Sequence, residues 1–186
     1  APPGSGYSYS GGGYSLLQYA IERRSRLPFA AWAARTTLRP LAMGDSRFGW
    51  PAPRPGRDTA PRDRAGRRRA TAHDIDGRPL GALRYPELAA AGLATSARDL
   101  GRFLLAVLRD PSGMERPQPA TDGHYGLGLE IRRLRDDDVL LWHEGVNRGW
   151  HARLLLLPRH RLGIAILTNG DGGGAVADAV ERLVVR

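Results

Sequence analysis

The groups best suited to chemistry are concentrated in Leu141-Trp142-His143-Glu144-Gly145-Val146-Asn147-Arg148-Gly149-Trp150-His151, directly before the most hydrophobic run, Ala152-Arg153-Leu154-Leu155-Leu156-Leu157. His143 can change charge near neutral pH, so it can stabilise charge or help move a proton. The glycines beside it let a ligand approach the backbone, whose N–H groups can receive an oxyanion. Glu144, Gly145 and Asn147 are the neighbouring candidates for contacting a substrate. A second place of interest is Tyr9, set in Gly6-Tyr7-Ser8-Tyr9-Ser10-Gly11-Gly12-Gly13. A tyrosine serves as general base where a nearby cation depresses its pKa. These are groups that a hydrolase can use.

Other chemistries find less support. His143-Glu144 is followed by His151 rather than by a histidine three residues further on, so it is not the His-Glu-x-x-His helix of zinc peptidases. His73 with Asp74 and Asp76 has the composition of a turn. No metal or cofactor is expected. Ser8 and Ser10 do not complete Gly-x-Ser-x-Gly, and Gly11-Gly12-Gly13 has no following lysine and is no P-loop. With Cys 0 there is neither a disulfide nor a thiolate nucleophile.

Placing these residues requires a scaffold, and periodicity supplies an outline. Val139–Trp142 reads as a short strand, 145–149 as a turn, and Trp150–Leu157 as a buried strand closed by Pro158, which puts His143 at the mouth of a hairpin. Tyr125–Ile131 alternates like a strand, and Leu162–Leu167 is a further buried one. Upstream, a helix starting at Tyr14 carries Leu16, Leu17, Ala20 and Ile21. A second runs from Pro28 to Leu38 and should pack on the first. A third, capped by Thr95 or Ser96, has Leu100, Phe103, Leu104, Val107 and Leu108 on its apolar face. A closing helix, Val176–Val185, presents Val176, Ala177, Val180, Leu183 and Val184 to the sheet. The reading is an α+β fold: a mainly helical region over 1–110, then an antiparallel sheet with a terminal helix over 121–186.

At 186 residues and 41% hydrophobic, the chain has the length and composition of one ordinary domain. No segment approaches the roughly 18 continuous apolar residues of a membrane-spanning helix. The net charge of +9 is concentrated: eight arginines face Asp58 and Asp63 between Arg47 and Ala70, a balance of +6. That segment, 47–70, is punctuated by Pro and Gly and has no aromatic after Trp50. It reads as a solvated loop, and no nucleic-acid partner is expected.

The order of these blocks resembles one family. Pro3-Gly4 leading into Tyr7-Ser8-Tyr9-Ser10-Gly11-Gly12-Gly13-Tyr14-Ser15-Leu16-Leu17 is similar to the second motif region of serine β-lactamase-like hydrolases: class C β-lactamases, penicillin-binding-protein-like peptidases and related esterases. Leu41-Ala42-Met43-Gly44-Asp45-Ser46, Ala90-Ala91-Gly92-Leu93-Ala94-Thr95-Ser96, Tyr125-Gly126-Leu127-Gly128, His143-Glu144-Gly145 and Leu162-Gly163 to Thr168-Asn169 follow in that family's order. The resemblance implies a β-lactamase/transpeptidase-like fold, with the active site between sheet and helical region. It makes Tyr9 the tyrosine of Tyr-x-Asn, with Gly11 replacing the asparagine and its substrate-binding amide. It makes His143-Glu144-Gly145 the counterpart of Lys-Thr-Gly, as in members carrying His-x-Gly.

Such enzymes acylate the serine of Ser-x-x-Lys, whose lysine helps activate it. All 28 residues counted as Lys+Arg are arginine, so that motif occurs in no register. The expectation is therefore the C-terminal portion of a single hydrolase domain, partnered by a missing N-terminal part and acting on an ester, amide or β-lactam of a small molecule or peptide. The resemblance implies a periplasmic or secreted location. The alternatives are a catalytically inactive ligand-binding module of the same fold and, more weakly, a basic nucleic-acid-binding protein.

Overall fold

The computed structural model describes residues 2, 4–49, 69–81 and 83–185. Most of the arginine-rich segment read as a loop lies outside the described residues. The rest builds an antiparallel sheet between two helices, joined to a helical region from the first part of the chain.

The sheet has strand order β3-β4-β5-β6: β3 is Glu130–Arg133, β4 Val139–Asn147, β5 Trp150–Leu157 and β6 Leu162–Thr168. Each neighbouring pair is antiparallel. Residues alternate between two faces, and each face has its own helix. On one, Leu141 and Leu156 pack with Leu129 against Leu104 and Val107 of α4 (Ala97–Arg109). On the other, Leu140, Leu155, Leu157 and Ile166 pack against Ala177 of α5 (Gly173–Val184), with Val180 and Val184 beside them. The leucine run of β5 is continuous because both of its faces are covered.

Several expectations need correction. β4 does not end at Trp142; it continues through Asn147, paired to β5 as far as Asn147 opposite Trp150, and the turn is only Arg148-Gly149. His143 therefore lies within the strand, opposite Leu154, rather than at the hairpin mouth. Glycine and asparagine have low strand propensity, and cross-strand pairing outweighs it here. Tyr125–Ile131 is not a continuous strand: a single bridge joins Tyr125 to Glu130, and Gly128 at φ 85° turns the chain between them. Val176 and Leu183 of α5 point away from the sheet, at 51% and 71% exposed.

In the first part of the chain, α1 runs over Gly11–Ser25 and starts three residues before Tyr14. Glycine is a poor helix former, but Ser10 caps this end: its Oγ accepts the Gly13 N–H at 3.1 Å. α2, Phe29–Ala33, continues as a π-helical turn over Ala34–Leu38. It docks on α1 through a polar contact, the Phe29 N–H donating to Glu22 Oε1 at 2.7 Å. Leu16 and Leu17, read as part of an apolar face, are exposed instead. A short helix α3, Leu88–Ala91, and a two-stranded ribbon of β1 (Arg47–Phe48) with β2 (Leu93–Ala94) complete this region.

One buried acid binds the region to the sheet's helix. Asp99 of α4 is 0% exposed. Its Oδ2 accepts the Asp45 N–H at 2.7 Å and the Ser46 hydroxyl at 2.8 Å, and its Oδ1 accepts from Arg102 at 2.7 Å. A fully paired carboxylate of this kind fixes a turn that hydrophobic packing alone leaves loose.

Candidate active site

Strand alternation sends His143 to the side of the sheet that meets Tyr9. Its odd-numbered position in β4 places it on the α4 side of the sheet with Leu141, directly opposite Leu154 at the edge of that core cluster. Tyr9 reaches the same place from the residue preceding the Ser10 cap of α1. The two rings lie 6.2 Å apart between centroids and are inclined by 40°. Burial pushes the His143 imidazole below its usual range, and the charge of Glu144 opposes that shift. Neutral imidazole, able to accept a proton, is thus the favoured form at neutral pH.

Tyr9 is perturbed in the other direction. Burial first, then Tyr14 and Glu130, push its phenol above the ordinary tyrosine value, so it stands here as an O–H donor. Around it is an aromatic group absent from the sequence-based site. Tyr7 packs on Tyr125 at 4.9 Å and meets His124 edge-on at 5.3 Å. The Tyr14 and Tyr125 hydroxyls are 3.4 Å apart. Tyrosines spaced through Tyr7, Tyr9 and Tyr14 were a visible signal; that Tyr125 joins them depends on the 125–130 turn.

The remaining candidates divide. Asn147 donates from Nδ2 to the Ala91 carbonyl at 3.4 Å, tying the end of β4 to α3. Gly11 begins α1, where an added Cβ would lie 3.9 Å from that of Ala90. Gly145 is exposed and has open space where a side chain would project. Glu144 does not join them. As the neighbour of His143 in a strand, it projects from the opposite face, where it is bonded to His151 and to Arg153. Arg153 also donates to Asp178 at 2.8 Å and to Glu181 at 3.0 Å on α5, and Arg132 bonds to Glu181. The Nδ1 of His151 is buried with no hydrogen-bond partner among the described residues. This network was not foreseen, although the alternation of Glu144, Arg153 and His151 through two adjoining strands could have revealed it.

Among the described residues, no group of three or more His, Cys, Asp or Glu could hold a metal ion. Nor is any helix there long and apolar enough to cross a membrane.

The chain is similar to several solved structures. SurE superposes with a TM-score of 0.77 at 28% identity, over 98% of this chain and 45% of that one. A D-stereospecific amidohydrolase from Streptomyces sp. gives 0.72 at 19% identity, over 96% of this chain and 55% of that one. The penicillin binding protein from Bacillus halodurans gives 0.76 at 19% identity, over 98% and 58%. The chain thus spans about half the length of these structures. No curated protein sequence matches it. The fold is of the β-lactamase/transpeptidase-like type, an antiparallel sheet with flanking helices. The family model described as Beta-lactamase matches residues 1–186, and the chain belongs to that family of serine hydrolases.

Proposed function

We propose that this chain supplies the tyrosine and histidine side of an acyl-serine hydrolase site, and that the nucleophile comes from a Ser-x-x-Lys segment outside these 186 residues. The observation that carries the reading is the approach of Tyr9 to His143, at 6.2 Å between ring centroids. The serine attacks the carbonyl of an ester, amide or β-lactam, and its hydroxyl proton passes to a base. Neutral His143 accepts or relays a proton, and the Tyr9 hydroxyl donates to the leaving group or to developing oxyanion charge. Gly145, Gly11 and Asn147 line the approach to these rings as substrate-contacting positions. Solved structures similar to this chain include the D-stereospecific amidohydrolase and a D-alanine carboxypeptidase, which supports an amide of a D-amino acid as substrate class.

Two observations favour a second reading, a ligand-binding module without catalysis: burial holds the Tyr9 phenol up, and Gly11 lacks the amide of the family motif. An acyl-serine reporter separates the two. The 186-residue chain should show no burst. Joined to a Ser-x-x-Lys segment, it should acylate, and Tyr9→Phe or His143→Ala should slow that step by about 10²–10⁴-fold. Stoichiometric serine labelling of the chain by itself would contradict the proposal.

A further inference from the structure

Residues 6–10 belong to no helix or strand, and none of their N–H groups donates to a backbone carbonyl among the described residues. Tyr9 therefore takes its position from contacts made on either side of it. Before it, the Tyr7 ring lies 4.9 Å from that of Tyr125, inclined by 35°. After it, the Tyr14 hydroxyl is 3.4 Å from the Tyr125 hydroxyl, and either can donate. Tyr14 lies in the first turn of α1, which the Ser10 cap holds together. One side chain, that of Tyr125, thus meets the chain on both flanks of Tyr9.

Tyr125 is itself held in register with His143. Its carbonyl accepts the Gln118 N–H at 2.8 Å and the Thr121 hydroxyl at 3.3 Å. The His124 carbonyl beside it accepts the Ile131 N–H at 2.8 Å. Ile131 pairs with Leu141 of β4, the neighbour of His143 on the same face of the sheet. Gly128, at φ 85°, lets the turn pass close to Tyr14: an added Cβ would lie 3.6 Å from the Tyr14 hydroxyl. Burial first, then the hydrogen bond to Tyr14, holds the Tyr125 phenol above the ordinary tyrosine value, so its hydroxyl is a neutral partner.

We propose that Tyr125 is a positioning residue of the site: it clamps the 7–14 segment through Tyr7 and Tyr14 and so sets the Tyr9 ring against His143. This rests on the reading of Tyr9 and His143 as an acyl-transfer pair. The two arms of the clamp differ in strength. The Tyr7–Tyr125 separation falls in the favoured range of aromatic pairs, whereas 3.4 Å is long for a bond between hydroxyls. The ring stack therefore carries most of the hold, and the hydroxyl contact orients Tyr14. A pair of groups that must meet across a cleft gains from such a support, because small displacements of a reacting group are costly in rate.

The test reads the nuclear Overhauser contact between the Tyr9 and His143 rings in the 186-residue chain. Tyr125→Leu should abolish it, and Tyr125→Phe, which keeps the stack and drops the hydroxyl, should retain it. Tyr7→Leu removes the other half of the stack at a position 37% exposed and should abolish the contact too, which keeps the clamp testable should Tyr125→Leu not fold. In the chain joined to a Ser-x-x-Lys segment, Tyr125→Leu should slow acylation at saturating reporter by about 10–100-fold with the apparent affinity little changed, and Tyr125→Phe should restore the rate. A ring contact that survives in Tyr125→Leu or Tyr7→Leu, a Tyr125→Phe chain as impaired as Tyr125→Leu, or a loss of affinity at unchanged rate would each overturn the proposal. The ring contact is read without any reaction, so the clamp can fail while acyl transfer stands, and absence of acylation leaves the ring contact to be judged by itself.

Discussion

His143 and Glu144 are adjacent in sequence and lie on opposite faces of β4: the first faces Tyr9, the second is bonded to His151 and Arg153 under α5. Their separation is physical, since successive side chains of a strand point to opposite sides. They still communicate electrostatically, because the carboxylate raises the affinity of His143 for a proton while burial lowers it.

The pH dependence of stability follows from His143. Burial lowers its pKa in the folded chain, so on acidification the unfolded chain takes up this proton first. The contribution is complete above the unfolded histidine value and is lost as pH falls from there toward the lower folded value. The urea midpoint of the chain should drop between pH 7.5 and 5, and the drop should be smaller in His143→Gln. An NMR titration should show the His143 ring titrating below a free imidazole, and lower still in Glu144→Gln.

Arg153 is a second point of sensitivity. Its side chain is 10% exposed and holds three carboxylates. Arg153→Met should cost about 2–3 kcal/mol in urea unfolding, somewhat less than a fully buried pair because Glu144 and Asp178 retain some water. Asp178, with its side chain 52% exposed, should matter little: Asp178→Asn is expected to cost under about 1 kcal/mol.

The β4–β5 turn admits only glycine at its second position. Gly149 has φ 75°, and an added Cβ would lie 2.6 Å from the Ala72 Cβ and 2.8 Å from Leu80 Cδ1. Gly149→Ala combines backbone strain with overpacking and should lower stability by about 2–4 kcal/mol, measured by thermal unfolding.

Ser10→Ala tests the seat of Tyr9. Loss of the cap on Gly13 should cost about 1 kcal/mol and fray the glycine turn of α1. The nuclear Overhauser contact between the Tyr9 and His143 rings should weaken in parallel. An unchanged contact would show that Tyr9 is held by the aromatic group instead.

Periodicity made the helix at Leu100–Leu108 and strands β5 and β6 legible, because their buried faces repeat over enough residues to be unambiguous. It failed where tertiary pairing overrides local preference: in Gly145–Asn147, drawn into β4 by β5, and in Gly11–Gly13, made helical by Ser10. Tyr9 and His143 were legible as candidates by chemical type and motif order, and their rings lie together. The turn within 125–130 was misread because the apolar positions of Tyr125–Ile131 alternate as a strand's do, while Gly128 at φ 85° folds the chain back there.

A glycine governs how closely α4 can approach the sheet. At Gly163 an added Cβ would lie 3.1 Å from the Cβ of Leu104, so its bare backbone sets the spacing between β6 and α4. The far end of that helix carries Asp99, which grips the Asp45–Ser46 turn. A single methyl group at 163 would thus act on a lever. Its fulcrum is the Leu104 contact, and its long arm would carry any displacement from the sheet into the helical region.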